Sequence, residues 1–155
     1  MLRAISAFTV LLLVLTALPG YALDAKKSCG WMQLPLMQFQ YVSQGYHDGH
    51  HGADLVAPLG SLVLAAQDGT VSYADWNGPY GRMIEIDHED GISTRYGHLS
   101  VIMSTIKPGT VVFQGQAIGK IGTTGISTGP HLHFEVRSNG DHTDPLPWLG
   151  VKKCR

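Results

Sequence analysis

Glycine or proline interrupts this chain every few residues, and the stretches between are short, apolar and β-branched. That spacing leaves little room for helices and predicts strands. Candidate strands are 62–66, 70–74, 82–88, 92–98, 110–113, 117–121 and 132–137. In 82–88 the alternation is broken at Met83, but Ile84, Ile86 and His88 share a face. Glu89-Asp90-Gly91 then turns the chain into 92–98, a hairpin signal. The clearest period-two pattern runs from His131 to Val136. Leu132, Phe134 and Val136 take one face, while His131, His133 and Glu135 take the other, read as the open side of a sheet. Many short strands separated by turn residues predict an all-β fold, a small antiparallel sandwich or barrel. No repeat period and no low-complexity tract interrupts this picture.

One segment departs from it. Residues 4–18 form an apolar run behind Arg3, followed by the helix breaker Pro19-Gly20. Gly20 and Ala22 are small residues at the −3 and −1 positions of a cleavage after Ala22. This is the layout of a secretory signal peptide over 1–22. The run falls short of the roughly 20 residues a membrane span needs, so no stable span is expected after cleavage. With 155 residues in all, the remainder allows one domain.

Charge adds an exclusion. The chain carries 11 Lys and Arg against 12 Asp and Glu, a net of −1. Without a polybasic footprint, nucleic acid is not an expected partner. An exported protein meets an oxidising compartment, and its two cysteines, Cys29 and Cys154, lie near the two ends of the mature chain. Two readings stay open. A bridge between them would close a long loop and remove about 4–5 kcal/mol of unfolded-state entropy. Free thiols or an intermolecular bridge are the other reading. Neither cysteine lies at metal-ligand spacing from a histidine.

The chemistry lies in the eight histidines. His50-His51-Gly52-Ala53-Asp54 sets His50 and Asp54 on either side of a glycine that lets the chain bend. His131-Leu132-His133 sets two imidazoles on one strand face. Two imidazoles and a carboxylate are a good Zn²⁺ ligand set that leaves a fourth position for water. Tyr96-Gly97-His98-Leu99-Ser100 adds a further histidine at the end of a predicted strand. The Gly-rich loop GTTGISTGP, directly before His131, is read as small so that a substrate backbone can approach.

Taken together, HxGxD, YGHLS and STGPHLHFEV resemble the lysostaphin-like (beta-lytic) zinc metallopeptidases, which cut peptide bridges in bacterial cell walls. The resemblance runs over 45–149, and Ala57-Pro58-Leu59-Gly60-Ser61, Tyr80-Gly81 and Asp144-Pro145 support it. It divides the chain into a leader (1–22), a lead-in (23–44), a metallopeptidase domain (45–149) and a tail (150–155). It implies a β structure of the duplicated hybrid motif type and one Zn²⁺ held by His50, Asp54 and His133. His98 and His131 become the two non-ligand active-site histidines, and a peptidoglycan cross-link becomes the substrate, in the periplasm or outside the cell. Ala53, Arg82 and Gly97 depart from commoner residues, and none of them is a ligand.

The rival reading is a non-catalytic regulator that has lost its zinc ligands and activates other wall hydrolases; here all three ligands and both further histidines are present. His47, His51, His88 and His142 have no partner pattern and are read as surface or core-edge residues. Trp31, Trp76 and Trp148 are read as packing, and Tyr46 and Tyr80 as groove lining. Glu135 is either an acceptor behind a ligand or one half of a cross-strand ion pair.

Overall fold

The computed structural model describes residues 31–150. The predicted leader and both cysteines, with their pairing, lie outside the described residues. Ten strands occur among the described residues. They are β1 (Tyr41–Gln44), β2 (Ala53–Val56), β3 (Leu62–Leu64), β4 (Gly69–Trp76), β5 (Arg82–Asp87), β6 (Ile92–Ile102), β7 (Val111–Val112), β8 (Ala117–Ile121), β9 (His131–Ser138) and β10 (Asp141–Thr143). One short helix follows, α1 (Pro145–Trp148). Every strand pair is antiparallel. The all-β class is therefore the observed one. No described helix is long and apolar enough to cross a membrane.

The seven strands that the hydrophobic pattern predicts all appear, although 110–113 shrinks to two residues and 92–98 runs on to Ile102. The pattern gives no sign of β1, β2 or β10. Strand β1 is a mostly exposed edge, and β10 is three polar residues. Strand β2 is buried along Ala53, Asp54 and Leu55 alike, so it does not alternate. The predicted hairpin joins β5 to β6, with Asp90 and Gly91 at φ 58° and 69° in its turn.

Strand β6 organises the site. Its first half, Ile92 to Gly97, pairs with β9, and its second half, Leu99 to Ile102, pairs with β8. Strand β5 lies along its other edge. Between the halves the register slips: Arg82 faces Leu99 and Ile84 faces Tyr96, so Gly97 and His98 together face Met83. This is a β-bulge, and His98 sits at its crest with φ 60°. An extra residue in a strand bends it and re-aims a side chain. Here the re-aimed side chain is a histidine of the candidate site.

The core lies behind these strands. Leu132, Phe134 and Val136 are fully buried with Leu55, Ile84, Ile86, Leu99, Ile118 and Ile121, as the β9 alternation predicts. Tyr96 is wholly buried among them, its hydroxyl accepting from the Ala66 amide at 2.9 Å. Burial pushes that phenol up to about 12. Residues ahead of β1 join the core as well: Met32 and Leu36 are buried, and Trp31 meets Trp148 at 5.9 Å between rings. The packing read for the tryptophans fits these two but not Trp76, which is 54% exposed at the end of β4. The open polar face expected of β9 needs correction too. His131 and His133 are nearly buried and Glu135 is fully buried, because Tyr80, β2 and the 122–130 loop close over that face.

Candidate metal centre

Antiparallel pairing of β2 with β9 sets Asp54 opposite His133 and Val56 opposite His131. The 45–50 turn, closed by reciprocal backbone bonds between His47 and His50, brings His50 over the same spot. His50 Nδ1 donates to the Gly45 carbonyl at 2.9 Å, which leaves Nε2 pointing inward. His50 Nε2 then lies 3.1 Å from Asp54 Oδ1 and 3.2 Å from His133 Nδ1. His133 Nδ1 lies 2.8 Å from Asp54 Oδ1. Three donor atoms, two imidazole nitrogens and one carboxylate oxygen, thus converge within 4.8 Å. A borderline divalent cation suits such a set, and Zn²⁺ takes these ligand types in catalytic sites. By donor chemistry and convergence the residues fit the ion.

Gly52 lies at a bend just ahead of β2, as expected, and has a second role. A Cβ there would meet the His133 ring at 2.8 Å, so the glycine makes room for the imidazole.

His131 and His98 stand beside this cluster. His131 Nε2 is 3.7 Å from Asp54 Oδ1, and the two rings meet edge to face at 4.8 Å. Both are turned by backbone carbonyls of the Gly-rich loop. His98 Nδ1 donates to Thr124 O and His131 Nδ1 to Gly129 O, each at 2.8 Å. Each ring therefore keeps Nε2 free as an acceptor. The loop is more than small. A side chain on Gly122 would collide with the Ser100 amide, and one on Gly125 with the Gly81 amide, so these glycines let the loop lie against β6 and the β4–β5 turn. Thr124 ties the contact, donating to Leu99 O at 2.8 Å and accepting from the Arg82 amide at 3.0 Å. Its contribution to His98 comes from the main chain, so no side-chain pattern could have found it.

Charge is concentrated in this pocket. Burial opposes ionisation of Asp54, yet the His133 hydrogen bond and the fields of His131, His133 and His50 hold it below the usual carboxylate range. Burial opposes a charge on His133, but Asp54 and Glu135 prevail and raise it to about 9. Burial lowers His98, with the neighbouring imidazoles adding to the effect. Both readings of Glu135 hold at once: it accepts from His133 Nε2 at 3.1 Å and faces Arg95 at 3.6 Å. Tyr80 lines the groove as expected and donates to Glu135 at 2.6 Å. Of the histidines without a partner pattern, His142 is drawn in, 3.4 Å from Glu135, and His51 lines the groove, whereas His88 stays at the core edge just past the end of β5. The groove, about 490 Å³, is walled by Tyr80, Ile126, Ser127 and Thr128 around the five histidines His50, His51, His98, His131 and His133.

Residues 48–145 match Peptidase family M23. Over 101 residues, 65% of this chain, the sequence is 43% identical to the peptidoglycan DD-endopeptidase ShyC of Vibrio cholerae, and the match covers 23% of that protein. The chain spans about a quarter of the length of the curated relatives it matches. A zinc-containing peptidase from Vibrio cholerae superposes with a TM-score of 0.68 at 30% identity, over 77% of this chain and 40% of the other. The catalytic domain of lysostaphin from Staphylococcus simulans superposes with a TM-score of 0.62 at 35% identity, over 72% and 91%.

Proposed function

The chain belongs to peptidase family M23, and from that premise we propose that it is an exported zinc metalloendopeptidase that hydrolyses peptide cross-links of bacterial peptidoglycan. The observation that carries this reading is the convergence of His50 Nε2, Asp54 Oδ1 and His133 Nδ1 beside two further imidazoles. The names of the relatives support the substrate class, the zinc-containing neighbour supports the ion, and the predicted leader supports export.

His50, Asp54 and His133 would hold the ion. A bound Zn²⁺ supplies Lewis acidity, polarising a carbonyl oxygen and lowering the pKa of water toward about 7. The chain's own residues do the rest. The Thr124 and Gly129 carbonyls fix both free imidazoles with Nε2 as the acceptor facing the groove. Neutral imidazole is the right base near neutral pH, and burial keeps His98 in that form. One of the pair takes the proton of the attacking water and passes it to the leaving amine. The other, when protonated at Nε2, holds the developing oxyanion, or as a neutral acceptor holds the water in place. Tyr80 and Ile126 are among the residues that line the groove.

The test is digestion of purified sacculi by the Zn²⁺-loaded chain, read by mass spectrometry. New amino termini within the cross-linking peptides, abolished by a chelator and restored by Zn²⁺, are the expected outcome. Sacculi and soluble cross-linked peptides left intact would refute the proposal.

A further inference from the structure

Three of the five histidines lining the groove are oriented by neutral backbone carbonyls: His50 by Gly45, His98 by Thr124 and His131 by Gly129. His133 differs, because its outer nitrogen meets a carboxylate. Glu135 lies two residues along β9, is fully buried, and accepts from His133 Nε2 through Oε1 at 3.1 Å. The same oxygen accepts from the Tyr80 hydroxyl at 2.6 Å.

The other oxygen, Oε2, is buried without a hydrogen bond, 3.6 Å from Arg95 Nη1 and 3.4 Å from His142 Nδ1. Strand register builds this arrangement. Arg95 on β6 faces Glu135 on β9 and Glu85 on β5, and its Nε donates to Glu85 at 3.0 Å. A buried carboxylate is expensive unless it is paired. Here a guanidinium held from its far side balances the charge, and Tyr80 anchors one oxygen.

We infer that Glu135 is a positioning residue for the metal centre: it holds a proton on His133 Nε2 and so directs the Nδ1 lone pair at His50 Nε2 and Asp54 Oδ1. The inference rests on the reading of His133 as an ion ligand. The physical need for it is local. In the neutral ring that an ion requires, Asp54 Oδ1, 2.8 Å from His133 Nδ1, competes with Glu135 for the single imidazole proton. With that proton on Nδ1 the lone pair needed by a cation is gone. A charged acceptor on the opposite nitrogen opposes this tautomer and strengthens the imidazole as a donor, which a neutral carbonyl does less well. Arg95 Nη1, 3.6 Å from Oε2, faces the acceptor from across the sheet, and Tyr80 keeps its Oε1 aimed.

The test uses the full chain, stripped of metal and titrated with Zn²⁺ against a chromogenic chelator. Glu135→Gln keeps size and shape but removes the charge, and is expected to bind Zn²⁺ about 10–100-fold more weakly than wild type. In ¹⁵N–¹H spectra of the Zn²⁺-loaded proteins, the His133 Nε2–H proton should move upfield in this variant while the His50 Nδ1–H proton stays. Glu135→Asp, which restores the charge, should recover part of the affinity. Tyr80→Phe frees Oε1 without touching the charge and should shift the same His133 resonance to a smaller extent. This second variant decides the matter if Glu135→Gln does not fold. Wild type that binds Zn²⁺, with Glu135→Gln or Tyr80→Phe unchanged in both affinity and the His133 resonance, would overturn the inference alone. Wild type that takes up no Zn²⁺ would overturn the metal reading and the inference with it.

Discussion

The His133 imidazole occupies the space a Cβ on Gly52 would need: a methyl group there would stand 2.8 Å from His133 Cε1 and Nε2 and equally close to the Phe134 carbonyl oxygen. The carbonyl belongs to the β9 backbone and cannot swing aside, so the ring would have to move. Gly52→Ala should destabilise the fold by about 1–3 kcal/mol, the range for overpacking. It should also weaken ion binding, because the displaced ring carries a donor atom. Urea unfolding of the metal-free protein and chelator competition read the two effects separately. A variant unchanged in both would show that the glycine of HxGxD does not serve to seat the His133 ring.

Thr124 provides a second check, on the aim of His98. Its hydroxyl bridges Leu99 O and the Arg82 amide, while its carbonyl receives His98 Nδ1. Thr124→Val removes both hydroxyl bonds and keeps the volume. We expect kcat to fall about 10–100-fold, the effect of a misplaced reacting group, with metal content unchanged. Thr124→Ser restores the hydroxyl and should restore most of the rate. Equal activity in the valine and serine variants would show that the knot does not aim His98.

The two free imidazoles separate chemistry from metal binding. His98→Ala and His131→Ala should each lose about 10²–10⁴ of the rate, the usual share of a general acid–base group, while retaining the ion. His133→Ala should lose both. Elemental analysis of the purified variants beside a hydrolysis assay distinguishes the outcomes. An active His131→Ala variant would contradict the catalytic role of that residue.

His88 sets a pH dependence outside the groove. Burial lowers its pKa, outweighing the Asp68 carbonyl that its Nδ1 meets at 2.7 Å. The neutral form is therefore the folded one, and the unfolded chain binds more protons. The stability this residue contributes is present above its unfolded pKa of about 6.5 and is lost as pH falls through the depressed folded value. Its share of the slope is at most about 1.4 kcal/mol per pH unit. Denaturation of wild type and His88→Gln between pH 7.5 and about 5 should show a flatter profile in the variant. Parallel profiles would contradict the buried neutral histidine.

Local sequence carried most of this site. HxGxD and HLH are short, and their convergence needs only that β2 and β9 pair; the face of β9 follows from simple alternation. What escaped the sequence is set by distant register. Strand β2 is buried on both sides and shows no alternation, so it left no pattern. His98 was visible as a residue, but its direction comes from a bulge against Met83 that depends on how β5 meets β6. The pairing of Glu85, Arg95 and Glu135 needs three strands aligned in one row. Thr124 acts through its main-chain oxygen, which has no side-chain signature. Trp76 misled for the opposite reason: a tryptophan at the end of a strand looks the same in sequence whether it packs or stands exposed.

Everything proposed for the groove depends on one Zn²⁺ sitting among His50, Asp54 and His133. Anomalous scattering at the zinc edge, from a crystal of the chain grown with Zn²⁺, tests this most directly. A single strong peak is expected within bonding distance of His50 Nε2, Asp54 Oδ1 and His133 Nδ1. A crystal with no peak there, or with zinc held by other residues while these three remain hydrogen-bonded to one another, would contradict it.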